Sequence, residues 1–181
     1  MLKKDNMEII EKYGIKLMPV EIEDARLIID MRTDDRKSRY ISHTNSDIEE
    51  QIKWINSYKK RELERKEYYF IAVDDQDNKF STYRIYNIEE DTAEIGSWVT
   101  KPGYKYPQNS IKVDLIMKEF VFEVLGFNQL KFEVRRKNTS VLKYHKIFNP
   151  LVVRETEEDV FFSLEKENYY KIRNSLFKNI K

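Results

Sequence analysis

Apolar positions along this chain recur with two periods, and the places where the period changes mark out its elements. Ile15 to Val20 (IKLMPV) reads as a strand. Pro19 puts it at a strand end or a sheet edge, because proline has no N–H to donate. Glu21 to Arg32 then carries Leu27, Ile28 and Met31 at helical spacing. After the polar stretch Asp34 to Asn45, Ser46 with Glu49 forms a capping box. Ile48, Ile52, Ile55 and Tyr58 follow along one helix face. Tyr68 to Val73 (YYFIAV) and Phe80 to Ile88 are β-rich runs on either side of the turn DDQDNK, which predicts a hairpin. Residues 1–14 read as a short amphipathic lead-in, helical through Met7, Ile10 and Tyr13, that ends at Gly14.

The rest is organised around Ala93 to Pro150. A strand (AEIGSWVTKP) passes through the loop GYKYPQN into a long apolar helix, SIKVDLIMKEFVFEVLGF. A strand, QLKFEVR, and a short helix opened by Asn138 follow. A strand that feeds a helix through a loop aims the unpaired N–H groups of the helix start at one point, where the dipole favours negative charge. Asn109 or Ser110 is the expected N-cap there. The strand–helix–strand unit predicts a parallel crossover, and the three strands before it predict antiparallel pairing. Leu151 to Arg154 and Asp159 to Leu164 read as a closing strand pair, and a terminal helix follows with Tyr170 and Ile172 inward. The fold class is therefore α/β, of the α+β kind. It has a mixed, mostly antiparallel twisted sheet of about six to seven strands, with flanking helices. Its length suits one domain over residues 1–181.

Composition narrows the function. Apolar residues make up 40% of the chain, enough for a packed core. The 33 basic and 32 acidic residues nearly cancel, so no global field argues for nucleic acid as a partner. Cysteine is absent, which removes disulfides, thiolate metal sites and cysteine nucleophiles together. Two histidines without cysteine make a poor metal set, so no metal is expected. No apolar run approaches the ~20 residues of a bilayer span, and the first residues lack the apolar centre of a signal peptide. A soluble, cytoplasmic protein with no membrane partner is expected. The Gly-Lys-Ser/Thr phosphate loop and the Gly-x-Ser-x-Gly elbow are both missing.

The acidic strand EIGSWV, the loop and helix after it, LGFNQLKFEVR and the Asn138 helix together resemble the core of the GCN5-related N-acetyltransferase (GNAT) family. The likeness is strongest to its amino-sugar-nucleotide and ribosomal-protein branches, and runs from about Ile15 to Tyr170. It implies acetyl-coenzyme A as co-substrate, with the pyrophosphate at the loop and helix start. By position this assigns Gln108, Asn109, Ser110, Ile111 and Lys112 to the donor. Pro107, Ser110 and Lys112 stand where the family has Arg or Gln and two small residues. The resemblance also implies that Val99 and Thr100, at the end of a splayed strand, face the pantetheine arm, and that Asn138 belongs to the donor site.

Three residues are candidates for the chemistry. An amine must lose a proton before it attacks a thioester, and a carboxylate on the EIGSWV strand, Glu94, is placed to take it. Along that strand Glu94, Gly96 and Trp98 share one face, and Ile95, Ser97 and Val99 the other. Seven residues after Asn138 the family has a Tyr that protonates the leaving thiolate. Here that position is His145, with Tyr144 just before it, and either can serve as the acid. The alternative for each of the three is an ordinary structural role. His43, in the loop that lines the acceptor cleft in relatives, and Trp98 are the candidate substrate contacts. Two readings follow. One is an acetyl-coenzyme A-dependent N-acetyltransferase acting, as a monomer or homodimer, on a small amine such as an amino sugar, with a protein N-terminus as another acceptor. The other is a GNAT-fold binding or regulatory module that has lost catalysis.

Overall fold

Tyr68–Val73 forms a strand buried at every one of its six positions. A strand with no solvent face must be covered on both sides. The computed structural model describes residues 9–178 and shows both covers. Among the described residues there is one sheet of eight strands: β1 (Ile10–Lys12), β2 (Ile15–Pro19), β3 (Tyr68–Val73), β4 (Lys79–Tyr86), β5 (Thr92–Thr100), β6 (Gln129–Arg135), β7 (Leu151–Glu155) and β8 (Asp159–Glu165). Their spatial order is β1-β2-β3-β4-β5-β6-β8-β7. The helices are α1 (Ala25–Thr33), α2 (Asp35–Ser38), α3 (Ile48–Leu63), α4 (Pro107–Glu119), α5 (Thr139–Lys146) and α6 (Lys166–Lys178). Strand alternation sends Tyr68, Phe70 and Ala72 of β3 into the larger core under α4, with Tyr169 of α6. It sends Tyr69, Ile71 and Val73 into a second core under α1 and α3. Only β5 and β6 pair in parallel, as the strand–helix–strand unit predicts.

Five expectations are corrected. The lead-in is not helical in its described part: Ile10–Lys12 pairs with Ile15–Leu17 in a hairpin. Tyr13 (φ 59°) and Gly14 (φ 74°) both take left-handed backbone, as a two-residue hairpin turn requires. Met7 lies outside the described residues. The added strand β1 brings the sheet among the described residues to eight strands rather than six or seven. The cap of α3 is Asp47, whose carboxylate accepts from the N–H groups of Glu49 and Glu50, so the capping box at Ser46 does not form. Helix α4 begins at Pro107, not Ser110. Proline is well placed at the first helical position, where its missing N–H has no partner to lose.

The fifth correction concerns β5. Thr82 pairs with Val99 and Arg84 with Gly96, so β5 carries one extra residue there. Ser97 absorbs it at φ 52°, and the Thr82 hydroxyl donates to the Ser97 carbonyl at 3.0 Å. A bulge reverses the alternation beyond it. Trp98 therefore leaves the Glu94 face and stacks on Tyr83 in the larger core, 5.7 Å between ring centroids.

Candidate active site

The parallel pairing of β5 with β6 covers only Thr92–Glu94 and Gln129–Lys131. Both strands continue, to Thr100 and Arg135, but the bulge at Ser97 bends β5 away. The sheet is split from Ile95 onward, and that edge of β5 has no strand partner. A cleft of about 180 Å³ opens at the split, lined among others by Gly96, Trp98, Glu133, Asn138 and His145.

The start of α4 meets the far end of β5. No side chain caps it, and its first residues, Pro107 and Gln108, are exposed. The Thr100 and Ser110 hydroxyls lie 2.9 Å apart and tie the end of β5 to this helix start. The preceding loop is pinned sideways by Tyr104, which stacks on Phe80 at 4.4 Å and donates to Asp74 at 2.9 Å. The Asn109 amide donates to the Tyr104 hydroxyl. Aromatic pinning thus holds a loop that lacks the small residues of the family pattern. Val99 is buried, Ile111 packs on the core, and Lys112 is half-buried. Asn138 opens α5, its carbonyl accepting from Leu142 N–H.

The two residues weighed as acids both lie against the core. Tyr144 donates its hydroxyl to buried Asp114 at 2.5 Å, and burial with that carboxylate pushes its pKa well above the ordinary range. His145 is 4% exposed, against Phe132 and Trp98, and its Nδ1 has no hydrogen-bond partner. Burial, aided by Lys118, lowers its pKa to about 3, so near neutrality it is an uncharged imidazole. This has a consequence for stability. The folded pKa lies below the unfolded one, so the native state loses stability as pH falls below about 6.5. Urea unfolding should show a loss of about 2 kcal/mol between pH 7.5 and 5.0. His145→Gln should flatten that part of the profile; an unchanged slope would mean that His145 titrates normally.

Glu94 stands at the apex of the split, on the face of α1 and α3. It accepts from the Tyr86 hydroxyl at 3.0 Å and the Asn87 amide at 2.8 Å. Tyr86 lies over Gly96, where a Cβ would meet its hydroxyl oxygen at 2.6 Å. That close approach explains the glycine. Across the split stands Glu133, which sequence reasoning missed. It lines the cleft, and burial, Asp159 and Glu94 raise its pKa against the pull of Arg135 and Arg154. The available signal was alternation in QLKFEVR, which puts Lys131, Glu133 and Arg135 on the Glu94 face.

On that face a second cavity, of about 270 Å³, is lined by Arg32, His43, Trp54, Tyr69 and Arg84 with others. His43 is exposed on its wall. Arg32 is buried, and its signal was its place four residues after Ile28 on the apolar face of α1. Among the described residues no group of three His, Cys, Asp or Glu is placed to hold a metal ion. Nor is any described helix long and apolar enough to cross a membrane.

Residues 15–146 match the family model of the acetyltransferase (GNAT) domain. The chain belongs to the GNAT acetyltransferase family. The match takes in the elements from β2 to α5, which line the cleft together with Asp159 of β8. Among solved structures this GNAT chain is similar to apo FdhC, a nucleotide-linked sugar GNAT, with TM-score 0.81 and 29% identity over 93% of this chain and 96% of that one. It is also similar in fold to ribosomal-protein-S5-alanine acetyltransferase from Vibrio fischeri (TM-score 0.73, 12% identity, 88% and 98% covered). A spermidine N-acetyltransferase from Vibrio cholerae shares the fold as well (TM-score 0.68, 15% identity, 90% and 99% covered). No curated protein matches.

Proposed function

We propose that the chain is one acyltransferase unit that moves an acetyl group from acetyl-coenzyme A to the primary amine of a small molecule, an amino sugar. The observation that carries this reading is the split between β5 and β6, with the uncapped start of α4 at its end. A loop that filled the split would favour a binding module. Instead Tyr106 is 40% exposed and packs edge-on against Tyr104. The residues present fit the donor: the β5 edge up to Thr100 offers backbone to an extended arm, and the first turn of α4 offers N–H donors to a pyrophosphate. Bound there, acetyl-coenzyme A supplies an activated thioester, and transfer forms a C–N bond as the C–S bond breaks.

In this proposal Glu133 faces the cleft and takes the amine proton. Glu94, held by Tyr86 and Asn87, supports it from the apex. Trp98, Phe132 and neutral His145 form the wall that keeps water from the acyl group. A thiol with a pKa near ~8.5 leaves as the thiolate near neutrality, so no side-chain acid is needed. The likeness to a nucleotide-linked sugar GNAT supports the amino-sugar acceptor. Titration calorimetry with acetyl-coenzyme A should give micromolar binding, about −8 kcal/mol. No heat up to millimolar donor would return the chain to the binding-module reading.

A further inference from the structure

Arg32 is 9% exposed, yet its guanidinium meets only neutral partners. Nε donates to the Thr44 hydroxyl at 2.6 Å, and Nη2 to the Ser42 carbonyl and hydroxyl at 3.2 and 2.9 Å. No ion pair within the described residues includes it. Buried guanidinium groups are ordinarily matched by an anion, because desolvating the charge is costly. Arg84, on the same cavity, lies between the rings of Trp54 and Tyr86, 5.1 and 4.6 Å from their centroids. Its one carboxylate neighbour, Glu67, is shared: Arg84 Nε stands at 2.8 Å and Arg61 Nε at 2.6 Å. Two guanidiniums thus share a single buried carboxylate, and Arg32 has none among the described residues. Glu50, on the cavity rim, is exposed and held by the Asn45 amide.

We propose that Arg32 and Arg84 bind a phosphate group carried by the acceptor, in the cavity that adjoins the cleft where its amine reacts. Arg32, Ser42 and Ser97 line both spaces, so the two adjoin. Guanidinium forks and hydroxyls are the donors that a phosphate requires. At the other end Asp159 is paired with Arg135 at 2.9 Å, which leaves Glu133 and Glu94, near each other and in no ion pair among the described residues, as the acidic groups. The site is therefore bipolar and reads a molecule with an amine at one end and a phosphate at the other. A polyamine would set a second cation against Arg32 and Arg84, and is excluded. This inference rests on the amine-acceptor reading and adds the chemistry of the acceptor's far end.

The test is calorimetry on the full chain, with coenzyme A saturating so that the α4 start takes up no probe. Pyrophosphate, glucosamine 6-phosphate, UDP-glucosamine and spermidine are titrated in turn. Pyrophosphate should bind the wild type, and Arg84→Gln and Arg32→Gln should each weaken it at least tenfold. Circular dichroism checks the fold, and Arg84→Gln decides the matter if buried Arg32 cannot be replaced. Tighter binding of UDP-glucosamine than of glucosamine 6-phosphate supports a nucleoside diphosphate as the phosphate source; the reverse supports a sugar phosphate. Absent pyrophosphate binding, binding indifferent to both substitutions, or a preference for spermidine would overturn the proposal. Failure of coenzyme A to bind, with the pyrophosphate pattern intact, would instead remove the acetyltransferase reading, overturn the assignment of the phosphate to an acceptor, and leave a phosphate site at Arg32 and Arg84.

Discussion

Asp114→Ala should destabilise the protein by about 3–5 kcal/mol, the usual cost of stripping the partner from a buried charge. Asp114 and Lys118 are both wholly buried, one helical turn apart on α4, and form an ion pair. The carboxylate also accepts from Tyr83 at 2.6 Å and from Tyr144 at 2.5 Å. Burial, the largest single influence, raises its pKa, but the charge of Lys118 and the hydrogen bonds from Lys118 and Tyr144 act with others against it and together bring the pKa below the ordinary value. Alanine there leaves an ammonium and two hydroxyls unsatisfied in the core at once. Urea unfolding measures the loss. The double replacement Asp114→Leu with Lys118→Met removes both charges and should recover most of it, since apolar pairs of similar volume replace buried ion pairs without penalty. A loss under about 1 kcal/mol for Asp114→Ala would mean that water reaches Lys118. Tyr83 and Tyr144 flank Trp98, so the same change should loosen the wall of the cleft.

Glu133→Gln should lower kcat/KM for amine acetylation by about 10²–10³-fold, within the range expected for a lost general base. Glu94→Gln should cost less, about tenfold, because Glu94 acts behind Tyr86 rather than on the amine. The pH profile carries the stronger distinction. Glu133 titrates above an ordinary glutamate because burial and the carboxylates of Asp159 and Glu94 oppose its charge. The acid limb of kcat/KM should follow that group, disappear in Glu133→Gln and shift to lower pH in Glu94→Gln, where one opposing charge is gone. Equal losses with unchanged profiles in both variants would remove Glu133 as base. The two glutamines keep shape and hydrogen bonding, so neither variant should unfold.

The order of elements could be read from the sequence because it depends on local periodicity. YYFIAV, QLKFEVR and the apolar helix between β5 and β6 are patterns that hold wherever they are placed, and they sufficed for the sheet, its parallel pair and the resemblance to GNAT proteins. The helix starts were legible only to within a few residues. Ser46 and Asp47 are both good caps, and the choice between them lies in the approach of the chain. Tyr13-Gly14 gave little turn signal, so a hairpin passed for a helix.

What tertiary structure alone decided is the site. One extra residue at Ser97 turned Trp98 to the other face, and a bulge is a mismatch between two strands that neither strand shows by itself. His145 looked like an acid from its place after Asn138. Burial against Phe132 and Trp98, which sequence spacing does not convey, made it a neutral wall residue. Glu133 and Arg32 were passed over because a charged side chain counts as surface until its neighbours are known. The sequence determined which elements form and in what order. Which charges are buried, and which face each other across the split, follows from contacts between residues far apart in the chain.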